Sequence, residues 1–356
     1  MPAIRVLTDL VAEQLAHNVA DLVGGAGEPG NEVGQNWNDL VELGVPAFAV
    51  PVDADGLDLG QAAAIIVAEE LGKVATGRRY LDGTLLTEML ANTGAGGPLH
   101  NSSHGTACRI ERLRRLADGR THARAVAITG TAPVAKPDGE GWTLPANVLP
   151  EIPETVDTLL IRFEAEGTTL IAVAEPCRHG TPVHVTRAGV LAEPELPTSL
   201  RDRARLRHAA NLLGAAVAAV DLTIDRATER RQFGVSLATY QAVAFPLAAL
   251  CARVDAARLF VEHTAWQQDK GQLDPGNAAT ALGMAIELAH DAVQQCVHTH
   301  GAAGLVQHSL LDRLRRLVLG EASRWGPAEF LWREAGTAWS SVTLAEPAAH
   351  EGVGQR

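Results

Sequence analysis

Between residues 201 and 341, leucine, alanine and valine recur at spacings of three and four through runs far longer than a strand requires. Only a helix uses that period. "RARLRHAANLLGAAVAAVDLTIDRATERR" is one such run, and "LATYQAVAFPLAALCARVDAARLFVEHTAWQQDKG" is a second, with a kink expected near Pro246. "NAATALGMAIELAHDAVQQCVHTHG" is a third, followed by "SLLDRLRRLVLG" and "PAEFLWREAGTAWSSV". Their apolar faces are too wide for one-sided surface helices, so each must pack against several neighbours. A helical bundle over 201–356 satisfies that requirement.

The chain before the bundle divides in two. Residues 1–118 read as helix: "VLTDLVAEQLAHNVADLV" carries one apolar stripe, and "DLGQAAAIIVAEELGKVA" and "LDGTLLTEMLANTG" follow, the latter expected to end at Gly94. Residues 119–200 hold nine of the 18 prolines, which excludes long helices there. "ARAVAIT", "TLLIRFEAEGTTLIAVAEP" and "TPVHVTRAGV" read as short strands, with Glu166-Gly167 at a hairpin turn. The expected fold is mostly α with a small middle β domain: helical 1–118, β 119–200 and a four-helix bundle 201–356.

A formal charge of −12 argues against nucleic acid or an anionic membrane as partner. Any anionic ligand must therefore be held by a few local cations. Three groups stand out: Arg112, Arg114 and Arg115; Arg230 and Arg231; Arg313, Arg315 and Arg316. Cys108, Cys177, Cys251 and Cys296 are too scattered for a zinc site and too few for a disulfide framework, so free buried thiols are expected. The acids and polar residues in the N-terminal pattern do not fit a signal peptide. No apolar run approaches the roughly 20 residues of a membrane span, and a cytoplasmic location is expected.

Residues 229–234, "ERRQFG", interrupt the apolar pattern. Alone they read as a helix end with its cations and a glycine stop. In context, "RATERRQFGVSLATYQAV" resembles the Arg-x-Gln-Phe-Gly…Gln signature of the acyl-CoA dehydrogenases, flavoproteins of the same three-part architecture. "HTHGAAGLVQHSLLDRLRRL" resembles their Gln-x-x-Gly-Gly-x-Gly segment and the helix after it, with paired basic residues. The resemblance implies that FAD lies at a subunit interface, held through its pyrophosphate and adenine. By position, Arg230, Gln232, Phe233 and Gln241 take the clamp roles, with His298, Gly301 and Ala302 at the glycine-rich turn. A pyrophosphate suits a guanidinium fork and close backbone approach. Here His298 replaces the family's glutamine and Ala302 its second glycine. No carboxylate or cysteine spacing around the histidines near the turn completes a metal site.

The family's catalytic glutamate removes the α-proton of an acyl thioester while the β-hydrogen leaves as hydride. Its three usual positions here hold Arg324, Ala204 and Gln307. Glu321 is the remaining candidate base. Its alternative role is a surface acid pairing with Arg324 at i,i+3. Glu334, in "REAGT", falls too far along the chain to be the base. The family's Glu-Pro-rich loop and Trp-x-x-Asn/Ser segment against the flavin ring are also missing.

Three readings follow from the resemblance. The first is FAD-dependent α,β-desaturation of an acyl-CoA or acyl-carrier thioester. The second is a non-catalytic subunit of a heteromeric acyl-CoA dehydrogenase. The third is a non-redox acyl-thioester-binding protein on the same fold. A homodimer or tetramer, or a heterotetramer with a related chain, is expected, with an electron-transferring flavoprotein as the family's usual oxidant.

Overall fold

The computed structural model describes residues 10–24, 33–92, 103–128, 131–139, 141–145, 155–176, 182–192 and 196–344. Five helices come first: α1 (Leu10–Gly24), α2 (Val33–Glu42), α3 (Gly60–Lys73), α4 (Arg78–Asn92) and α5 (Ser103–Ala117). Helix α4 starts ahead of the segment read from sequence, and Gly94 lies outside the described residues.

Seven strands follow: β1 (Ala123–Val126), β2 (Lys136–Asp138), β3 (Gly141–Leu144), β4 (Thr158–Ala165), β5 (Thr168–Ala174), β6 (Val183–Thr186) and β7 (Val190–Ala192). They form two sheets, β1-β4-β5-β7 and β2-β3-β6, in which only β1 and β4 pair in parallel. The β4–β5 turn is the expected hairpin at Glu166-Gly167, with φ of 54° and 81° and Ala165 paired to Thr168. Period-two alternation divides this sheet between two cores. Leu159, Ile161 and Phe163 join Trp142, Leu144 and Val185 of the second sheet, whereas Ala123, Ala125, Leu160 and Ile171 join the helical core. The β layer is thereby fixed to the helices.

The bundle comprises α6 (Thr198–Glu229), a two-stranded hairpin β8–β9 (Arg231–Gln232 and Val235–Ser236), α7 (Gln241–Asp269), α8 (Asn277–His300), α9 (Leu310–Glu321) and α10 (Ala328–Leu344). Helix α7 passes through Pro246 in its second turn without ending. Helix α6 is central, packed against α3 on one side and α8 on another. Its small residues allow this. A Cβ on Gly214 would collide with the Glu69 carbonyl oxygen of α3, and one on Gly72 with the Asn211 carbonyl of α6. Asn211 Nδ2 donates across the same contact to the Ala68 and Thr76 carbonyls at 3.0 and 2.9 Å.

Buried charges on α6 and α7 are paired. Arg207 donates to both Glu88 oxygens at 2.7 and 2.6 Å, and Arg258 to Glu69 at 2.9 Å. Cys296 is a buried free thiol, and Cys251 is only half-buried, unlike the expectation from sequence. Among the described residues no helix is long and apolar enough to cross a membrane.

Candidate functional site

Helix α6 does not stop on a glycine. It ends at Glu229, and the next residues turn into the β8–β9 hairpin, where Arg231 pairs with Ser236 and Gln232 with Val235. Phe233 (φ 51°) and Gly234 (φ 84°) form its two-residue turn, with the paired positive φ values that match the right-handed strand twist. A phenylalanine rarely adopts that conformation. Three bonds hold the hairpin down: Leu237 N–H to the Arg230 carbonyl at 2.9 Å, Ser236 Oγ to the Ala227 carbonyl at 2.7 Å, and Tyr240 Oη to the Gln232 carbonyl at 3.1 Å.

The clamp residues read from sequence all lie on this surface. Arg230, Gln232, Phe233 and Gln241 are exposed, Phe233 to 95%. With its amide oxygen turned to Arg230, Gln232 accepts from Nη2 at 2.8 Å and Nε at 3.3 Å. Neither Arg230 nor Arg231 has a carboxylate partner among the described residues. His298, Gly301 and Ala302 are exposed at the C-terminal end of α8, where Gly301 takes φ 59° as the helix cap. A side chain on Gly301 would meet nothing within 4 Å, so the turn is open on that side. His298 also lines an open groove of about 810 Å³ between α7, α8 and α9, together with Arg253, His290 and Arg315.

Glu321 occupies a different setting. It is 4% exposed at the end of α9, far from the surface pairing that the i,i+3 spacing suggested. Arg78 Nη1 of α4 lies 2.8 Å from its Oε1, His208 Nε2 of α6 2.9 Å from Oε2, and Arg324 Nη1 3.5 Å from Oε2. Arg324 also grips Asp82, a wholly buried residue of α4. Arg124 of β1 stands 3.9 Å from the same carboxylate. Four elements and the segment after α9 thus meet at one cluster of charges.

The electrostatics make Glu321 a poor proton acceptor. Burial pushes its carboxyl up, but His208, Arg324 and Arg78 outweigh burial and hold it down to about 2. Burial, reinforced by Arg324, pushes the His208 imidazole below its ordinary value against the pull of Glu321. Three guanidiniums already face two carboxylates, so a further cation there is unfavourable and the neutral ring is the stable form. Burial lowers Arg324, but Asp82 and Glu321 raise it by more, so its charge is fixed.

The other candidate base positions supply no acid. Ala204 is buried on α6, and Gln307 is exposed after the turn that follows α8. Glu334 bridges α10 to α6, accepting from Arg205 at 2.8 Å through each oxygen. The stretches 129–130 and 146–154, which fall among the missing flavin-ring segments, lie outside the described residues.

Comparison with known proteins agrees with the bundle. Residues 198–336 match the family model described as the C-terminal domain of acyl-CoA dehydrogenase. The Bacillus subtilis protein named probable acyl-CoA dehydrogenase YngJ is 29% identical over 236 residues, 65% of this chain and 61% of that protein. The chain therefore spans less than two thirds of that relative's length. Two solved structures share the fold over almost all of both chains. The ChsE4-ChsE5 complex from Mycobacterium tuberculosis has a TM-score of 0.73 at 20% identity, covering 96% of this chain and 99% of that one. The Tcur3481-Tcur3483 steroid ACAD variant has a TM-score of 0.73 at 22% identity, covering 94% and 99%. With the arginine hairpin and bundle already in place, these matches identify residues 198–336 as an acyl-CoA dehydrogenase C-terminal domain, and the solved structures share the fold of nearly the whole chain.

Proposed function

We propose that the chain is one subunit of an FAD-dependent acyl-thioester dehydrogenase, and that it lends cofactor contacts to a neighbour while a different chain supplies the base. The reaction is α,β-desaturation of an acyl-CoA or acyl-carrier thioester. The observation that carries the reading is Arg324. It stands where the family resemblance puts a glutamate, and it is locked to buried Asp82 and Glu321.

The residues present fit the cofactor. Arg230 and Gln232 sit side by side on an exposed hairpin with no acid to neutralise them among the described residues, and a side chain at Gly301 would meet nothing within 4 Å. A fixed guanidinium beside an amide suits the diphosphate of a dinucleotide. When bound, FAD would accept the hydride from the substrate β-carbon. Arg230 would hold the diphosphate, Gln232 would orient Arg230, and Phe233 would offer an apolar face to the neighbouring subunit. Glu321 would serve architecture, because a carboxylate held down to about 2 does not take a carbon-bound proton at neutral pH.

The two-chain names of the structural relatives, ChsE4-ChsE5 and Tcur3481-Tcur3483, favour an assembly of two different subunits. The test is expression alone and with a related family member. A colourless chain that becomes yellow on co-expression, with bleaching by an acyl-CoA, is the expected result. Stoichiometric flavin bleached by acyl-CoA in the chain alone would overturn the division of labour. Absence of flavin from every combination would overturn the redox reading.

A further inference from the structure

Beyond His298, the open groove between α7, α8 and α9 has no part in the clamp. Its floor is apolar, with Leu250, Val293 and Val318 contributed by the three helices, and Leu319 stands 61% exposed beside them. Its charge runs against that of the whole chain, which is −12. Arg253 is matched by Asp291 at 2.7 Å, but Arg315 shares Asp312 with Arg316, at 3.1 and 2.6 Å. One positive charge is left over. His290 and His298 line the same groove and have no hydrogen-bonding or ionic partner among the described residues.

A second surface has the opposite character. The loop 51–59 exposes Val52 to 69%, Leu57 to 49% and Leu59 to 45%, interleaved with Asp53, Asp55 and Asp58. Asp55 is paired with Arg114 at 2.8 Å, whereas Asp53 and Asp58 have no cation partner among the described residues. The loop is tied down. Leu57 and Leu59 N–H groups donate to the Ala47 and Phe48 carbonyls at 2.9 Å, and Asp58 N–H to the Val50 carbonyl at 3.1 Å. Its side chains are thus set in place before any partner arrives, so little order is lost on docking. Single exposed leucines are ordinary, but three large apolar side chains on one short loop mark an interaction surface.

The loop and the groove belong to opposite ends of α7. Asp269 at the C-terminal end accepts from the Gln61 and Ala62 N–H groups at 2.7 and 2.9 Å, directly after the loop. Pro246 and Arg253 line the groove from the N-terminal half of the same helix. At the helical rise, Arg253 and Asp269 are roughly 24 Å apart, so the loop does not reach the groove of its own chain.

We propose that loop 51–59 of one copy of this chain seats in the α7–α8–α9 groove of a second copy. Val52, Leu57 and Leu59 cover the apolar floor, and Asp53 and Asp58 meet the surplus positive charge around Arg315. The two faces differ, so the contact is heterologous: each copy keeps a free loop or a free groove until a ring closes. The contact leaves the β8–β9 hairpin uncovered. It depends on neither flavin nor a related chain, and neither does its test.

The full chain, expressed alone, is sedimented over a range of concentrations. Self-association is expected, weaker in high salt. Arg315→Glu in the groove and Leu57→Glu in the loop, both at exposed positions, should each weaken it at least about tenfold, because acid then faces acid. Mixed together, the two variants have one intact loop and one intact groove between them. The mixture should therefore form a dimer that grows no further. A chain that stays monomeric at every concentration, or one whose association both variants leave intact, overturns the proposal. So does a mixture that associates no better than either variant alone, the result for a symmetric contact. Should a variant fail to fold, hydroxyl-radical footprinting of the natural chain decides. Leu57 and Leu319 should become protected together as concentration rises, and protection of one without the other overturns the pairing.

Discussion

His208 Nε2 lies 2.9 Å from Glu321 Oε2, and both side chains are at least 96% buried. The pair makes stability depend on pH with one sign. Glu321 is depressed from 4.5 to about 2, so its contribution is present above pH 4.5 and is lost as pH falls toward 2. That shift is worth on the order of 3 kcal/mol. His208 is depressed from 6.5, so the unfolded chain binds a proton first, and stability falls below pH 6.5 as well. Urea unfolding of the natural chain at pH 7.5, 6 and 5 should show a decline across this range. In His208→Asn the decline is shallower, with the part due to His122 remaining. An identical slope in the variant would mean that His208 binds its proton equally in the folded and unfolded chain.

Arg324 holds Asp82, which has no exposed surface. Arg324→Ala leaves that acid buried and facing only Arg78 and Arg124, each at 3.9 Å. A loss of about 3–5 kcal/mol is expected, typical of removing one partner from a buried pair. Arg324→Glu, the substitution that restores the residue type of the family's base, places a third carboxylate against two. It should destabilise further and confer no acyl-CoA-dependent bleaching of flavin on the chain expressed alone. A folded, active Arg324→Glu chain would show that the base position alone was missing.

The contrast between these residues and the helices explains what the sequence disclosed. Helices α6 and α8 were legible because their apolar spacing is a local property and persists along each element. The Glu166-Gly167 hairpin was legible because glycine marks a two-residue turn with positive φ. The Phe233-Gly234 turn was not, since phenylalanine is no signature for that conformation, and the glycine read equally well as a helix stop. The charge cluster was hidden for a different reason. Arg78, Asp82, Arg124, His208 and Arg324 belong to separate segments, and each alone resembles a solvated side chain. One signal was present: His208 sits in "RLRHAANLL", among residues that the apolar pattern marks as core. The Glu321–Arg324 spacing was seen, but spacing along a helix does not tell whether the pair is wet or buried.

Gly214 and Gly72 allow α6 and α3 to approach backbone to backbone. Gly214→Ala forces a methyl group onto the Glu69 carbonyl, and two helices must separate to admit it. A loss of at least about 1–3 kcal/mol is expected, as for overpacked cores. Thermal unfolding measures it directly. Gly336→Ala on α10, where a Cβ would meet nothing within 4 Å, is the control and should be neutral or slightly stabilising. Equal midpoints for the two variants would contradict the close crossing.

Phe233 separates folding from assembly. It holds φ 51° with its ring almost wholly in solvent, so the isolated chain gains nothing from the side chain and bears the strain of the turn. Phe233→Gly removes a left-handed penalty of about 1–2 kcal/mol, offset in part by glycine's extra freedom when unfolded. The single chain should therefore unfold at the same temperature or slightly higher. If the hairpin meets a neighbouring subunit, the variant loses an apolar contact there, and the co-expressed assembly should dissociate at higher concentration and retain less flavin. Arg230→Ala should lower flavin content in the same assay while leaving the chain's own stability within about 0.5 kcal/mol, as for an exposed residue without a partner acid. Unfolding midpoints and sedimentation on the same preparations decide the matter. A Phe233→Gly chain that melts earlier but assembles normally would place the ring's contact within its own subunit.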